Sequence, residues 1–191
     1  MQEGIVSPVK ERRKIHPHKF ALWIAMGSIA MMFAGLTSAY MVREAQGNWH
    51  YFKLPPIFWV STVAIFASSI TIIFGLKAFK ERRMTAYRAF ITTTLLLGVL
   101  FGILQYEGFV QLYANNIRID GNPADSFIFI IAGLHLLHIL GGIIALLIVF
   151  FRAFRKRVKV YNTTGLEIVA SYWHFVDVLW IYLFVFFLVN Q

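Results

Sequence analysis

Five apolar runs, each long enough to cross a hydrocarbon core, leave this chain few ways to fold. Residues 20–42, 57–76, 89–111, 127–151 and 168–189 each supply the roughly 20 apolar residues that a transmembrane helix needs. In lipid the backbone must satisfy its own hydrogen bonds, and a helix does so within one segment. The composition agrees: 59% of the residues are hydrophobic and 14% are charged, where a soluble domain carries about 25% charge. The predicted fold is all-α, a polytopic membrane bundle of five transmembrane helices. Pro55-Pro56 opens the second run and Gly121-Asn122-Pro123 breaks the chain before the fourth, both favourable places for proline. The third run is the most polar, with Thr92, Thr93, Thr94, Gln105 and Glu107. The first run lacks a small-residue cleavage site and reads as a retained helix. Residues 1–19 are polar and read as a flexible cytoplasmic tail. Residues 20–191 form one membrane domain, because every connecting loop is short. The sequence shows no internal repeat, which weakens an inverted-repeat transporter reading.

Charge placement sets an orientation. Lys10, Arg12, Arg13, Lys14 and Lys19 precede or open the first span. Lys77, Lys80, Arg82, Arg83 and Arg88 fall between spans two and three, and Arg152, Arg155, Lys156, Arg157 and Lys159 between spans four and five. These segments hold fifteen of the eighteen Lys and Arg, and the two other loops hold Arg43, Lys53 and Arg118. The positive-inside rule places the amino terminus in the cytoplasm and the carboxyl terminus outside. The net charge of +9 then serves topology and attraction to anionic lipid headgroups, rather than nucleic-acid binding.

With no cysteine, the chain has no disulfide, thiolate metal site or CxxCH haem attachment. Ionisable residues inside spans are expensive and mark candidate sites. In the fourth span His135 and His138 share a helix face with Gly142. In the fifth, Trp173, His174, Asp177 and Trp180 share a face, and His174 and Asp177 stand one turn apart, close enough to hydrogen-bond. Glu167 lies at the cytoplasmic boundary of that helix, and Gln105 is a neutral addition in the third span. Two small-residue stripes, Ala30, Ala34, Ser38 and Gly133, Leu137, Gly141, Ala145, are expected to bring helices close.

Haem ligation by these histidines is disfavoured. At about 1.5 Å per residue, His174 lies roughly 9 Å from the inner boundary, His138 about 20 Å and His135 about 24 Å. Two axial ligands on facing helices need similar depth. His135 and His138 could share a metal, but no third ligand is evident. The expectation is a chain with no catalytic, cofactor-binding or metal site of its own.

The run Tyr172-Trp173-His174-Phe175-Val176-Asp177-Val178-Leu179-Trp180 resembles the last helix of haem-copper oxidase subunit III, which reads YWHFVDVVW. Glu167 stands five residues before it, where the cytochrome c oxidase type has a Glu and the quinol type tends to lack one. Ala132-Gly133-Leu134-His135-Leu136-Leu137-His138 is similar to the family's TGxHGxHV, with Gly141 following. Gly98 and Gln105 fit the LG…Q spacing of the middle helix. Trp23 and Ser28…Phe33-Ala34-Gly35-Leu36…Ala39-Tyr40 look like W…SE…FFAGL…AY. The resemblance runs from about Leu22 to Phe184 and corresponds to the short five-helix form. Three positions depart from the pattern. Ile29 replaces an acidic residue, Glu107 is one residue early for the family's Glu, and Leu136 replaces a Gly. The family roles of those acids are therefore not carried over.

The resemblance implies a non-catalytic subunit of a respiratory oxidase in the bacterial plasma membrane. It would pack against the haem-bearing subunit I, with haem and copper in subunits I and II. It would hold phospholipid and support sustained dioxygen reduction and proton uptake. Cytochrome c or quinol would be met only through the whole complex. On this view Glu167, Trp173, His174 and Asp177 form a structural, lipid-associated polar site. The alternatives are subunit III of a quinol oxidase, a small transporter or channel with His174 and Asp177 in its path, and a purely structural membrane scaffold.

Overall fold

The computed structural model describes residues 17–47, 53–115, 117, 122–155 and 163–190. Those residues form five helices: α1 Pro17–Glu44, α2 Ile57–Lys80, α3 Met84–Ala114, α4 Pro123–Phe154 and α5 Thr164–Val189. All five are long and apolar enough to cross a membrane, and the described residues contain no strand. The helices extend beyond the apolar runs because their polar end turns continue the same backbone ladder. Pro17, His18 and Lys19, expected in the tail, already belong to α1. Residues 1–16, Arg118, Lys156, Arg157 and Lys159, on which part of the charge pattern rests, lie outside the described residues.

Local chemistry explains the boundaries. Pro55 and Pro56 precede α2, and the Pro56 carbonyl accepts from Trp59 N at 3.0 Å. Asn122 caps α4, its Oδ1 accepting from Ala124 N at 3.1 Å with Pro123 at the first helical position, a pairing that side-chain capping and a fixed proline φ both favour. α2 and α3 are joined through Glu81, Arg82 and Arg83. Arg82 takes a positive φ of 59° and Arg83 N donates back to Ala78 O at 2.9 Å, a left-handed helix stop of the Schellman kind. The polar start of α3 is tolerated because Thr92, Thr93 and Thr94 each donate to the carbonyl four residues back, at 2.8, 3.0 and 2.8 Å.

Helices α2, α3, α4 and α5 surround the core in that order, each touching the next and α5 closing on α2. The helix ends show the alternation. Lys19, Lys80 and Glu167 meet at one end, where Arg88 Nε also donates to Ala153 O at 2.9 Å. At the other end Tyr40 Oη donates to Asn190 O at 3.1 Å and Trp59 packs on Phe184. Helix α1 is peripheral. It buries only Met26, Phe33, Thr37 and Tyr40, against α4 and α5.

The molecule is apolar outside and mixed inside. Trp59, Val63, Phe66, Leu137, Leu140 and Ile144 are exposed, while Ser61, Ser68, Thr94, Gln105, His135 and Asp177 are buried. A surface of that kind suits lipid, and the buried polar groups gain from partners that lipid cannot supply.

Close packing is carried by glycines other than those in the expected stripes. A Cβ on Gly98 of α3 would come within 2.7 Å of the Trp173 ring, and one on Gly142 of α4 within 2.9 Å of its other side. A Cβ on Gly108 would meet Phe58 at 2.8 Å. By contrast Ala30, Ala34, Ser38 and Gly141 are exposed and Gly133 is half-buried with nothing near it. Within this chain the packing role expected for them is corrected. The buried face of α4 runs through His135, Ile139 and Gly142, and Gly141 is turned 100° from it.

Candidate functional site

The polar face of α5 docks onto a line of hydroxyls on α2. Trp173 Nε1 donates to Ser68 Oγ at 2.8 Å and Trp180 Nε1 to Thr62 Oγ1 at 2.9 Å. Between them Ser69 Oγ and His174 Nδ1 are joined at 2.6 Å. Ser61 and Ser68, and Thr62 and Ser69, are seven residues apart, two helical turns, so they repeat along one side of α2. Gln105 of α3 reaches the same line, its Nε2 donating to Ser61 Oγ at 3.0 Å.

Asp177 sits 3% exposed beneath this row, and neither carboxylate oxygen has a hydrogen-bond partner among the described residues. The pairing of His174 with Asp177 expected from their spacing is replaced by the bond from His174 to Ser69. Ser69 also faces the Asp177 carboxylate. A serine hydroxyl has one proton to give. It is free for Asp177 only when His174 carries its own proton on Nδ1 and donates it to Ser69.

At the end of α5, Glu167 is held between two helices. Its Oε2 accepts from Lys19 Nζ at 2.6 Å and its Oε1 lies 3.0 Å from Lys80 Nζ. The three side chains are 23%, 40% and 51% exposed, so each pair contributes at most about 1 kcal/mol. Their effect is positional: one carboxylate in the first turn of α5, where the helix dipole favours it, ties down α1 and α2. Above it a cleft of about 370 Å³ runs between α1, α2 and α5, lined by Leu22, Trp23, Leu76, Ile168, Ser171 and His174 besides the charged triad. Glu167 and His174 thus open on the cleft. Asp177 and Trp173 stay behind it, in the core.

The fourth-helix histidines are separate. His135 is 1% exposed, its ring stacked on Trp180 at 5.2 Å and edge-on to Phe33 and Phe101. Neither of its ring nitrogens has a hydrogen-bond partner among the described residues. His138 is half-buried, its Nδ1 2.7 Å from Leu134 O of its own helix. Rings fixed by aromatic stacking and by a backbone carbonyl are not presented to a shared ion. Among the described residues no three His, Cys, Asp or Glu side chains gather as metal ligands.

Sequence reasoning missed the α2 hydroxyls that receive the α5 side chains. Their heptad spacing was the available signal.

A family model described as Cytochrome c oxidase subunit III matches residues 19–190. The chain belongs to this family. Subunit III relatives reach similar lengths. One from Corynebacterium diphtheriae, named cytochrome c oxidase subunit 3, is 32% identical over 163 residues, 81% of this chain and 79% of that one. A Mycobacterium bovis protein, named probable cytochrome c oxidase subunit 3, is 30% identical over 172 residues, 85% and 82% of the two chains. A Buchnera aphidicola protein, named cytochrome bo(3) ubiquinol oxidase subunit 3, is 27% identical over 189 residues, 95% and 89%. As a subunit III family member, the chain is a multi-pass membrane protein associated with an oxidase complex. Its three departures from the family pattern fall away from the polar row. Ile29 and Leu136 are half-buried apolar contacts and Glu107 is exposed on α3.

Proposed function

We propose that this chain is the non-catalytic subunit III of a bacterial plasma-membrane cytochrome c oxidase. The family match across residues 19–190 carries the reading. The chain packs against subunit I, with haem and copper held by subunits I and II. Its own part is to support sustained dioxygen reduction and proton uptake. The α5–α2 polar row of Trp173, His174 and Trp180 gives the bundle its register, Asp177 lies buried beside it, and the cleft above Glu167 holds phospholipid. The closed packing of His135 and the Ser69 bond of His174 support a supporting role over a redox one.

Purification in mild detergent tests this. The chain is expected to elute with a many-helix subunit whose visible spectrum is that of haem, while the separated chain shows none. A haem-free homo-oligomer would favour a transporter instead. The ubiquinol oxidase relative from Buchnera supports a second reading, a quinol-oxidising complex. Dioxygen uptake by the purified complex with reduced cytochrome c, compared with uptake on a quinol, separates the two, and cytochrome c is the expected donor.

The basic residues at the Lys80–Glu167 end support a cytoplasmic position for that end. Reporter fusions after Lys80 and Arg157 are expected to read cytoplasmic, and one after Asn122 external. Reversal at any two sites would invert the orientation.

A further inference from the structure

Asp177 is a buried acid for which the bundle provides no bond. It is 3% exposed, and neither carboxyl oxygen has a hydrogen-bond partner or a cation among the described residues. A carboxylate in such a place is costly unless it is paired, and the group holds a proton instead. A neutral acid inside a membrane bundle gains and loses its proton along a chain of polar atoms.

One such chain reaches Asp177. Along α5 it stands between Trp173 and Trp180, about one turn from each. Both indoles are tied to α2, at Ser68 and Thr62, so Asp177 is turned toward α2 between them. There Ser69 faces the carboxyl group, and Ser69 Oγ is joined to His174 Nδ1 at 2.6 Å. His174 in turn lines the cleft between α1, α2 and α5, with Ser171 and Glu167 following toward its charged end. With Nδ1 on Ser69, Nε2 is the ring nitrogen left for the cleft.

In the other direction the core is closed. Trp180 stacks on Phe58 and Phe184, with centroids 6.1 and 6.3 Å apart. Ile65, on the α2 turn between Thr62 and Ser68, is wholly buried. The remaining core helices bring no second route. Gln105 of α3 is bonded to Ser61. His135 of α4 is stacked on the Trp180 ring, and its nitrogens have no hydrogen-bond partner among the described residues.

We propose that Asp177 is a proton-binding site, loaded and emptied from the cleft through His174 and Ser69. In the loaded state the Asp177 O–H donates to Ser69 Oγ, the Ser69 O–H donates to His174 Nδ1, and His174 carries its proton on Nε2. Unloading moves each proton by one bond. The Asp177 proton passes to Ser69, the Ser69 proton to Nδ1, and the Nε2 proton to water in the cleft. The Asp177 O–H bond breaks and one O–H bond forms on that water, so the charge lost by the site is carried away with the proton. Loading is the reverse. The chain of polar atoms ends at Asp177, so the site stores a proton and passes none across the membrane. It is a property of the bundle and does not depend on the electron donor of the complex.

The test is infrared spectroscopy of the purified complex in detergent on transfer from water to deuterium oxide. The carbonyl stretch of a protonated carboxyl group is expected in the unmodified complex and absent from Asp177→Asn. Its shift on deuteration reports proton exchange at Asp177. Valine and threonine fill the same space, and threonine alone keeps a hydroxyl. Ser69→Val is expected to slow the shift by about tenfold or more, the effect of losing one hydrogen-bonded step, while Ser69→Thr keeps the original rate. His174→Phe, which keeps a ring in the cleft wall, slows it as Ser69→Val does. Thr62→Val breaks a neighbouring α5–α2 bond outside the relay and leaves the rate unchanged. A spectrum that Asp177→Asn does not alter overturns the proposal, since Asp177 then holds no proton. Exchange in Ser69→Val as fast as in Ser69→Thr overturns it as well, and so does equal slowing by Thr62→Val, which would make the effect one of packing.

Discussion

Gly142→Leu is expected to remove this subunit from the purified oxidase, and Gly98→Leu to do the same. The Trp173 indole lies between the two glycines, with ring atoms 2.7 Å from a Cβ built on Gly98 and 2.9 Å from one on Gly142. The ring cannot retreat from either, because its Nε1 is bound to Ser68 at 2.8 Å and the residue is wholly buried. Even Gly142→Ala forces helices apart or twists the ring, at about 1–3 kcal/mol for an overpacked core. Leucine adds three further carbons to the same space. The readout is the ratio of this chain to haem in the complex after detergent extraction, with the temperature at which the subunit dissociates. Trp173→Phe removes the outer ring carbons that approach both glycines, so Gly142→Ala combined with Trp173→Phe should lose less than the two single losses summed. Full retention of Gly142→Leu at the wild-type dissociation temperature would show that the ring does not set the helix spacing.

The five helices were legible because lipid demands continuous apolar runs, and the polar start of α3 hid nothing once its threonines bonded to their own backbone. The chemistry-bearing residues were legible as well, since charged and imidazole groups stand out in apolar sequence. Their partners were not. Spacing along one helix shows which side chains share a face but says nothing of what a neighbouring helix brings to it. Spacing alone pairs His174 with Asp177, one turn away, whereas its Nδ1 meets Ser69 of α2 at 2.6 Å. The small-residue stripes failed for a related reason. Gly141 and Gly142 differ by 100° of rotation, and only the arrangement of all the helices decides which of those directions is inside. Gly98 and Gly142 belong together only through Trp173 of a third helix, a relation without a local sequence signal.

His174→Ala is expected to weaken the hold of this subunit on the complex while leaving the initial rate of dioxygen reduction per haem unchanged. Removing the imidazole breaks the half-buried bond between α5 and Ser69 of α2, a net loss of about 0.5–1.5 kcal/mol. It also opens the wall of the cleft above Glu167, so bound lipid should fall with subunit retention. Asp177→Asn should behave differently. Neither Asp177 oxygen has a hydrogen-bond partner among the described residues, so a neutral isostere gives up no bond there and sheds the burden of a buried carboxyl, and assembly should hold or improve. Ser69→Ala with His174→Ala should cost little more than His174→Ala alone, because both ends of one bond are then gone. Activity during prolonged turnover should decline faster in the His174→Ala complex, where lipid and packing are loosened, than in Asp177→Asn. The deciding quantity is the initial rate in complexes with normal haem content, subunit ratio and bound lipid. A fall of orders of magnitude in either variant under those conditions would place His174 or Asp177 in the chemistry of the oxidase and end the supporting-subunit reading of this helix.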